Sequence, residues 1–135
     1  MTTNQLIIEK VSPFDVPVTV EKLIEAAHQK GWQNPAIHNL QESLAKSGKH
    51  VRPVQVVEIC KPEYSGHMLE QNDERVVSIL MPYRISVYEK EDGRAYVAQV
   101  NMTAMTAGLS KNIVDAILSA YDESFEIVRM VIGTI

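Results

Sequence analysis

The chain has one thiol, Cys60, placed where a β-prone run hands over to Lys61-Pro62. A cysteine acts as nucleophile or metal ligand through its thiolate, which a nearby cation, base or helix N-terminus favours. A helix opening at Pro62 would supply such a terminus, and Lys61 a positive charge. The competing reading is structural, because free cysteine is among the most buried residue types and often a small apolar filler. Seven residues on come His67 and Met68. Thiolate, imidazole and thioether make a soft donor set suited to copper(I) or haem iron, and Met81, Met102 and Met105 could join it in three dimensions. His67 could instead serve Cys60 as a base. Methionine, for its part, is a common gap-filler in cores.

Other motifs are missing. His28, His38, His50 and His67 fall at none of the spacings that mark zinc sites. Glu89, Glu91 and Asp92 read as solvated charges at a hairpin end, and Asp122, Glu123 and Glu126 as the exposed face of the last helix. No catalytic carboxylate pair stands out. The six glycines are isolated, so phosphate-loop and dinucleotide fingerprints are absent, as is a serine nucleophile elbow. Of Tyr64, Tyr83 and Tyr88, the last projects from a strand face opposite Ile85 and Val87. Either a partner covers that face, or Tyr88 pairs across the strands with Tyr96.

The elements that must position these residues follow from periodicity. Leu6-Ile7-Ile8 and Val11 form a β-prone stretch that bends at Pro13. A helix with Thr19 as N-cap carries Val20, Leu23, Ile24 and Ala27 on one face and stops at Gly31. A short helix runs from Leu40 to Ser47, capped by Asn39 and ended by Gly48. Val54 to Ile59, bounded by Pro53 and Pro62, is a central strand. A helical turn or two covers Pro62 to Glu70, and Asp73 caps another short piece before Pro82. Arg84 to Lys90 alternates, Asp92-Gly93 turns, and Ala95 to Val100 returns as the second strand of a hairpin. Ser110 caps a last helix of about 20 residues, with Val114, Ile117, Leu118, Tyr121, Phe125, Val128 and Ile132 on one face. The pattern predicts a single α+β domain over residues 1–135: a two-layer sandwich of mostly antiparallel sheet packed by a long C-terminal helix.

Composition narrows the partners. The net charge is −4 and the 13 basic residues are scattered, the densest stretch being Lys46 to Arg52. A nucleic-acid binder shows a stronger basic stripe, so no nucleic acid is expected. No apolar run approaches the ~18 residues that span a bilayer. The N-terminal residues lack the pattern of a signal peptide. With a single cysteine and no internal disulfide framework, these features place the chain in a reducing cytoplasm.

The stretch Pro53-Val54-Gln55-Val56-Val57-Glu58-Ile59-Cys60-Lys61-Pro62-Glu63-Tyr64 resembles a segment of the domain-of-unknown-function 302 family. There, a strand ends in a Gly-Asn-Pro or Cys-Asn-Pro type of turn. The resemblance runs on through Met81-Pro82-Tyr83-Arg84, like the family's Leu-Pro-x-Arg/Lys step, and through Val87-Tyr88-Glu89, Asp92-Gly93 and Asn101 to Met105. Lys30-Gly31-Trp32 also fits the family's Lys-Gly-aromatic helix end. In all it covers roughly residues 14 to 107. It implies a β-α-β-β-β-β-α order related to the TATA-binding-protein-like fold, and a homodimer; the shared fold does not imply DNA binding, and the acidic balance argues against it. Many such members carry a second cysteine where Tyr83 stands here, which leaves a two-thiol mechanism without its second sulfur.

Four functions remain. The first is a non-catalytic, dimeric, cytoplasmic binding protein with a small-molecule or partner site near the Cys60-Lys61-Pro62 turn, where Cys60, Pro62, His67 and Pro82 are the residues to test. The second is a thiol-dependent redox enzyme using Cys60, and the third a soft-metal or haem-binding protein using Cys60, His67 and Met68. The fourth is an assembly module that docks through its open sheet face.

Overall fold

The computed structural model describes residues 6–133. Five strands, β1 (Ile7–Ser12), β2 (Ile37–Asn39), β3 (Val54–Ile59), β4 (Tyr83–Glu89) and β5 (Ala95–Val100), form one antiparallel sheet in the order β1-β5-β4-β3-β2. Helix α1 (Val16–Gln29) follows β1, and α4 (Lys111–Ile132) ends the chain. The β-α-β-β-β-β-α order is therefore present, with two short helices, α2 (Leu40–Ala45) and α3 (Pro62–Leu69), inserted along it. Two 3₁₀ segments, Arg75–Leu80 and Met102–Met105, complete the elements. Strand β3 is interior, as its β-branched run requires, while β4 takes the middle of the sheet.

Strand alternation decides which face the helices cover. Val57 and Ile59 of β3, Ile85 and Val87 of β4 and Ala95 and Val97 of β5 are all buried, against Val16, Val20, Leu23 and Ala27 of α1 and Ile127, Val128 and Ile132 of α4. Side chains one position away, among them Val56, Arg84, Ser86, Tyr88, Tyr96 and Val100, point to the opposite face. Tyr88 and Tyr96 are direct cross-strand partners with rings stacked 6.3 Å apart. The Tyr88 hydroxyl also donates to Glu9 of the edge strand.

Several local expectations shift by a turn. Helix α1 starts at Val16 because Asp15 is its cap, its carboxylate accepting from Val18 N at 2.9 Å. Pro17 then sits in the first turn, where a missing N–H costs nothing. Thr19, expected as the cap, is buried, and its hydroxyl donates to the Asp15 carbonyl. On α4 the fully inward residues are Ile113, Ile117, Ala120, Tyr121, Ser124, Ile127, Val128 and Ile132. Val114, Leu118 and Phe125 lie on its flank. Strand β2 carries no pattern of its own; its three residues are ordered by pairing with Gln55 to Val57 of β3. Asn39, Ser110 and the Asp92-Gly93 turn stand as read, with Asn39 and Ser110 capping α2 and α4. Among the described residues, no helix is long and apolar enough to cross a membrane.

The N-terminal half of α4 serves a second apolar cluster. Ile113, Ile117 and Tyr121 meet Met68, Val77 and Met102 there. This places α3 and the Arg75–Leu80 segment as a cover beside one end of the sheet.

Candidate functional site

The site begins with how Cys60 is held. Beyond β3 its backbone continues into a bridge with Gln33: Gln33 N donates to the Cys60 carbonyl at 2.7 Å, and Cys60 N donates to the Gln33 carbonyl at 2.9 Å. The bridge exists because α1 ends in a tight reversal. Gly31, at φ 81°, takes the left-handed conformation that glycine adopts without penalty. Trp32 N then donates to the Ala27 carbonyl and Gly31 N to that of His28, a Schellman closure. The reversal turns Trp32 inward and lays Gln33 alongside Cys60.

After Cys60 the chain enters α3, with Pro62 at its first position, exposed to solvent. One turn in, the Ser65 hydroxyl lies 3.5 Å from the Cys60 sulfur, and Met68 is buried beneath the helix. The thiol is neither sealed in the core nor fully open.

A cavity of about 40 Å³ lies under α3. Its walls include Cys60, Met68, Met81, Pro82, Tyr83 and Met102. Tyr83 is brought beside the thiol's strand by register, since it pairs with Ile59 at the end of β3. Its ring meets Trp32 edge-on at 6.2 Å. The Tyr83 hydroxyl is buried and has no hydrogen-bond partner. Burial first, then the nearby Tyr121 and Asp122, push its ionisation far above the usual phenol range. It is a neutral donor waiting for an acceptor.

The cover is pinned by Glu123 of α4. One carboxylate oxygen accepts from Trp32 Nε1 at 2.8 Å and Lys61 Nζ at 2.6 Å, and the other from the Tyr64 hydroxyl at 2.8 Å. The Glu123 and Lys61 side chains are each 19% exposed, so solvent screens this ion pair less than a surface pair. Burial raises the Glu123 carboxyl, but the bonds from Lys61, Trp32 and Tyr64 outweigh it and hold it below the ordinary carboxylate range. In return, the hydrogen bond to Glu123, with burial second, raises Tyr64 to about 12.

These positions divide the residues singled out from the sequence. Cys60, Met68, Met81, Met102 and Pro82 meet in one cavity, while Pro62 opens the helix beside it. His67 does not join them. It is exposed and lines a separate surface groove between α3 and α4 with Glu63, Asn112 and Asp115. The thiol–imidazole–thioether set over Cys60, His67 and Met68 is thus not assembled. Haem does not fit either, since about 40 Å³ admits roughly two or three waters or a single ion. Met105 lines an adjoining groove that shares Met81 and Met102 with the cavity.

Glu123 is the largest departure from the sequence reading, which had put it on an exposed face. It lies three residues after Ala120 and four before Ile127, both inward-facing, so helical spacing held the signal. Its acidic neighbour Asp122 masked it. Trp32 and Tyr83 could not be found that way, because loop closure and strand register bring them in.

Comparison with known proteins adds the following. The family model described as Domain of unknown function DUF302 matches residues 8–130, a longer span than the quoted motifs cover. Among solved structures, the crystal structure of uncharacterized conserved protein DUF302 from Bacillus stearothermophilus is similar, with a TM-score of 0.83 at 16% sequence identity. The match covers 93% of this chain and 98% of that one. At such identity the likeness is one of fold. A search of curated proteins finds no match.

Proposed function

The chain belongs to the DUF302 family, and on that footing we propose that it is a non-catalytic binding protein that takes a small ligand in the cavity beside the Cys60-Lys61-Pro62 turn. One observation carries the reading. The cavity that Cys60 lines is also lined by Tyr83, whose hydroxyl is buried with no acceptor among the described residues. Buried polar groups are rarely left unpaired, and those that are tend to mark a bound water, ion or ligand. The size favours a ligand of a few heavy atoms, well below the roughly 300 Å³ of sites for drug-sized molecules. A reducing cytoplasm suits it, because a lone thiol stays free there.

Native mass spectrometry of protein purified from its own host tests this. The wild-type chain should carry an added mass that Cys60→Ala loses while its circular dichroism is unchanged. A bare wild-type chain, or a variant that unfolds, would overturn the reading.

The homodimer implied by family resemblance is part of the same proposal. Its supporting observation is the uncovered sheet face, where Val54, Val56, Tyr88, Tyr96, Ala98 and Val100 share a surface with Glu9, Glu58, Arg84 and Ser86. Stacked aromatics amid small apolar residues suit a self-complementary two-fold contact.

A further inference from the structure

Sulfur is concentrated at one place in this molecule. Three of the six methionines and the only cysteine line one cavity under α3. They arrive from four separate parts of the chain: Cys60 from the end of β3, Met68 from α3, Met81 from the link into β4, and Met102 from the turn after β5. No carboxylate or imidazole appears among the residues that line it. Resting on the binding reading above, we propose that Cys60, Met68, Met81 and Met102 hold one copper(I) ion in this cavity.

Donor chemistry selects the metal. Thiolate and thioether sulfurs favour copper(I), whereas zinc sites add imidazole or further thiolates, and calcium and magnesium require oxygen ligands. Charge agrees, because copper(I) on one thiolate is neutral overall, and a neutral pair costs far less to bury than a divalent ion among thioethers. On binding, the Cys60 S–H bond breaks, its proton leaves to solvent and a copper–sulfur bond forms. The copper stays in the +1 state throughout. Size agrees too, since a metal held directly by its sulfurs fits within about 40 Å³.

Two further features belong to the same picture. Tyr83 lines the same cavity, and its buried hydroxyl lacks an acceptor. The groove next to the cavity shares Leu80, Met81, Pro82, Tyr83 and Met102 with it, and is also lined by Met105, a residue 38% exposed. Methionine's flexible stem lets such residues close on an ion without a rigid preformed cage.

The test is an anaerobic titration of the full chain with copper(I), using bicinchoninate as competitor. One copper(I) per chain should be retained. Cys60→Ser and the paired Met68→Leu/Met102→Leu change should each weaken retention about tenfold or more, a scale on which even outer-shell partners act. Leucine conserves methionine's volume, so packing alone predicts no such loss. Met130→Leu and His67→Ala should bind like the wild type, and copper X-ray absorption should show sulfur neighbours. A wild-type chain that yields all its copper to the competitor would overturn the proposal, as would binding unmoved by the methionine changes. Native mass spectra separate the two levels. A bound mass other than copper, lost in Cys60→Ala, overturns the copper site and leaves the binding reading standing; a bare chain overturns both.

Discussion

Cys60 is anchored by its backbone, through the Gln33 bridge, while its half-buried sulfur lies 3.5 Å from the Ser65 hydroxyl. Removing the thiol therefore subtracts little from the folded state. Cys60→Ala is expected to cost no more than about 1 kcal/mol in urea unfolding, the scale of losing one small, half-buried group. A larger loss would show that the sulfur is core packing. Tyr83 predicts the opposite sign. Its unpartnered hydroxyl is a cost to the ligand-free protein, so Tyr83→Phe should raise stability by about 1 kcal/mol. A lower urea midpoint in that variant would mean the hydroxyl has a partner in solution. Cysteine, being unique, drew notice from sequence. Tyr83 could not, because an orphaned hydroxyl is defined by what surrounds it.

At the scale of elements, the chief device is the Glu123 clamp, which ties α4 to Trp32 after α1, to Lys61 at the head of α3 and to Tyr64 within it. Glu123→Ala leaves three donors short of an acceptor, and a loss of about 2–3 kcal/mol is expected. Hydrogen exchange should quicken most in α3, which meets α4 and the Arg75–Leu80 segment but no strand with more than slight contact. The sign of the pH effect follows from the depressed carboxyl. The folded protein holds this proton less tightly than the unfolded chain does, so the clamp's contribution is complete above the unfolded carboxylate range. It is lost as pH falls through the lower, folded value. Acid unfolding of Glu123→Gln should accordingly show a shallower dependence on pH through that window. A slope equal to the wild type's would remove Glu123 as the source. Gly31 is the other control point. An alanine at φ 81° finds open space, its Cβ meeting only Lys61 Cε at 3.8 Å, so the expected loss of about 1 kcal/mol is backbone strain alone.

For the whole molecule, the sheet divides two tasks between its faces. One is covered by α1 and α4 and holds the core; the other is uncovered. If the uncovered face seats a second copy, Tyr88→Arg places like charges across the two-fold contact and should convert a dimer to monomers in sedimentation, with secondary structure retained. A wild-type protein that sediments as a monomer at micromolar concentration would dismiss this surface as a dimer contact. Ile79, 83% exposed on the short 3₁₀ segment of the cover, lines a groove with Arg84 and Val100 at the edge of that face.

The residue pattern alone determined the α+β class, the hairpin, the amphipathic C-terminal helix and the caps at Asn39 and Ser110. Each rests on spacing within a dozen or so residues, where the period of a strand or helix acts directly. It also picked out the thiol and its proline-led turn. The tertiary structure alone decided that His67 turns away from the thiol, that Glu123 collects three donors, and that Met81 and Met102 converge on Cys60. Those outcomes depend on register and on how helices lie across a sheet, and both are fixed by contacts between segments far apart along the chain. Local periodicity contains no information about such contacts.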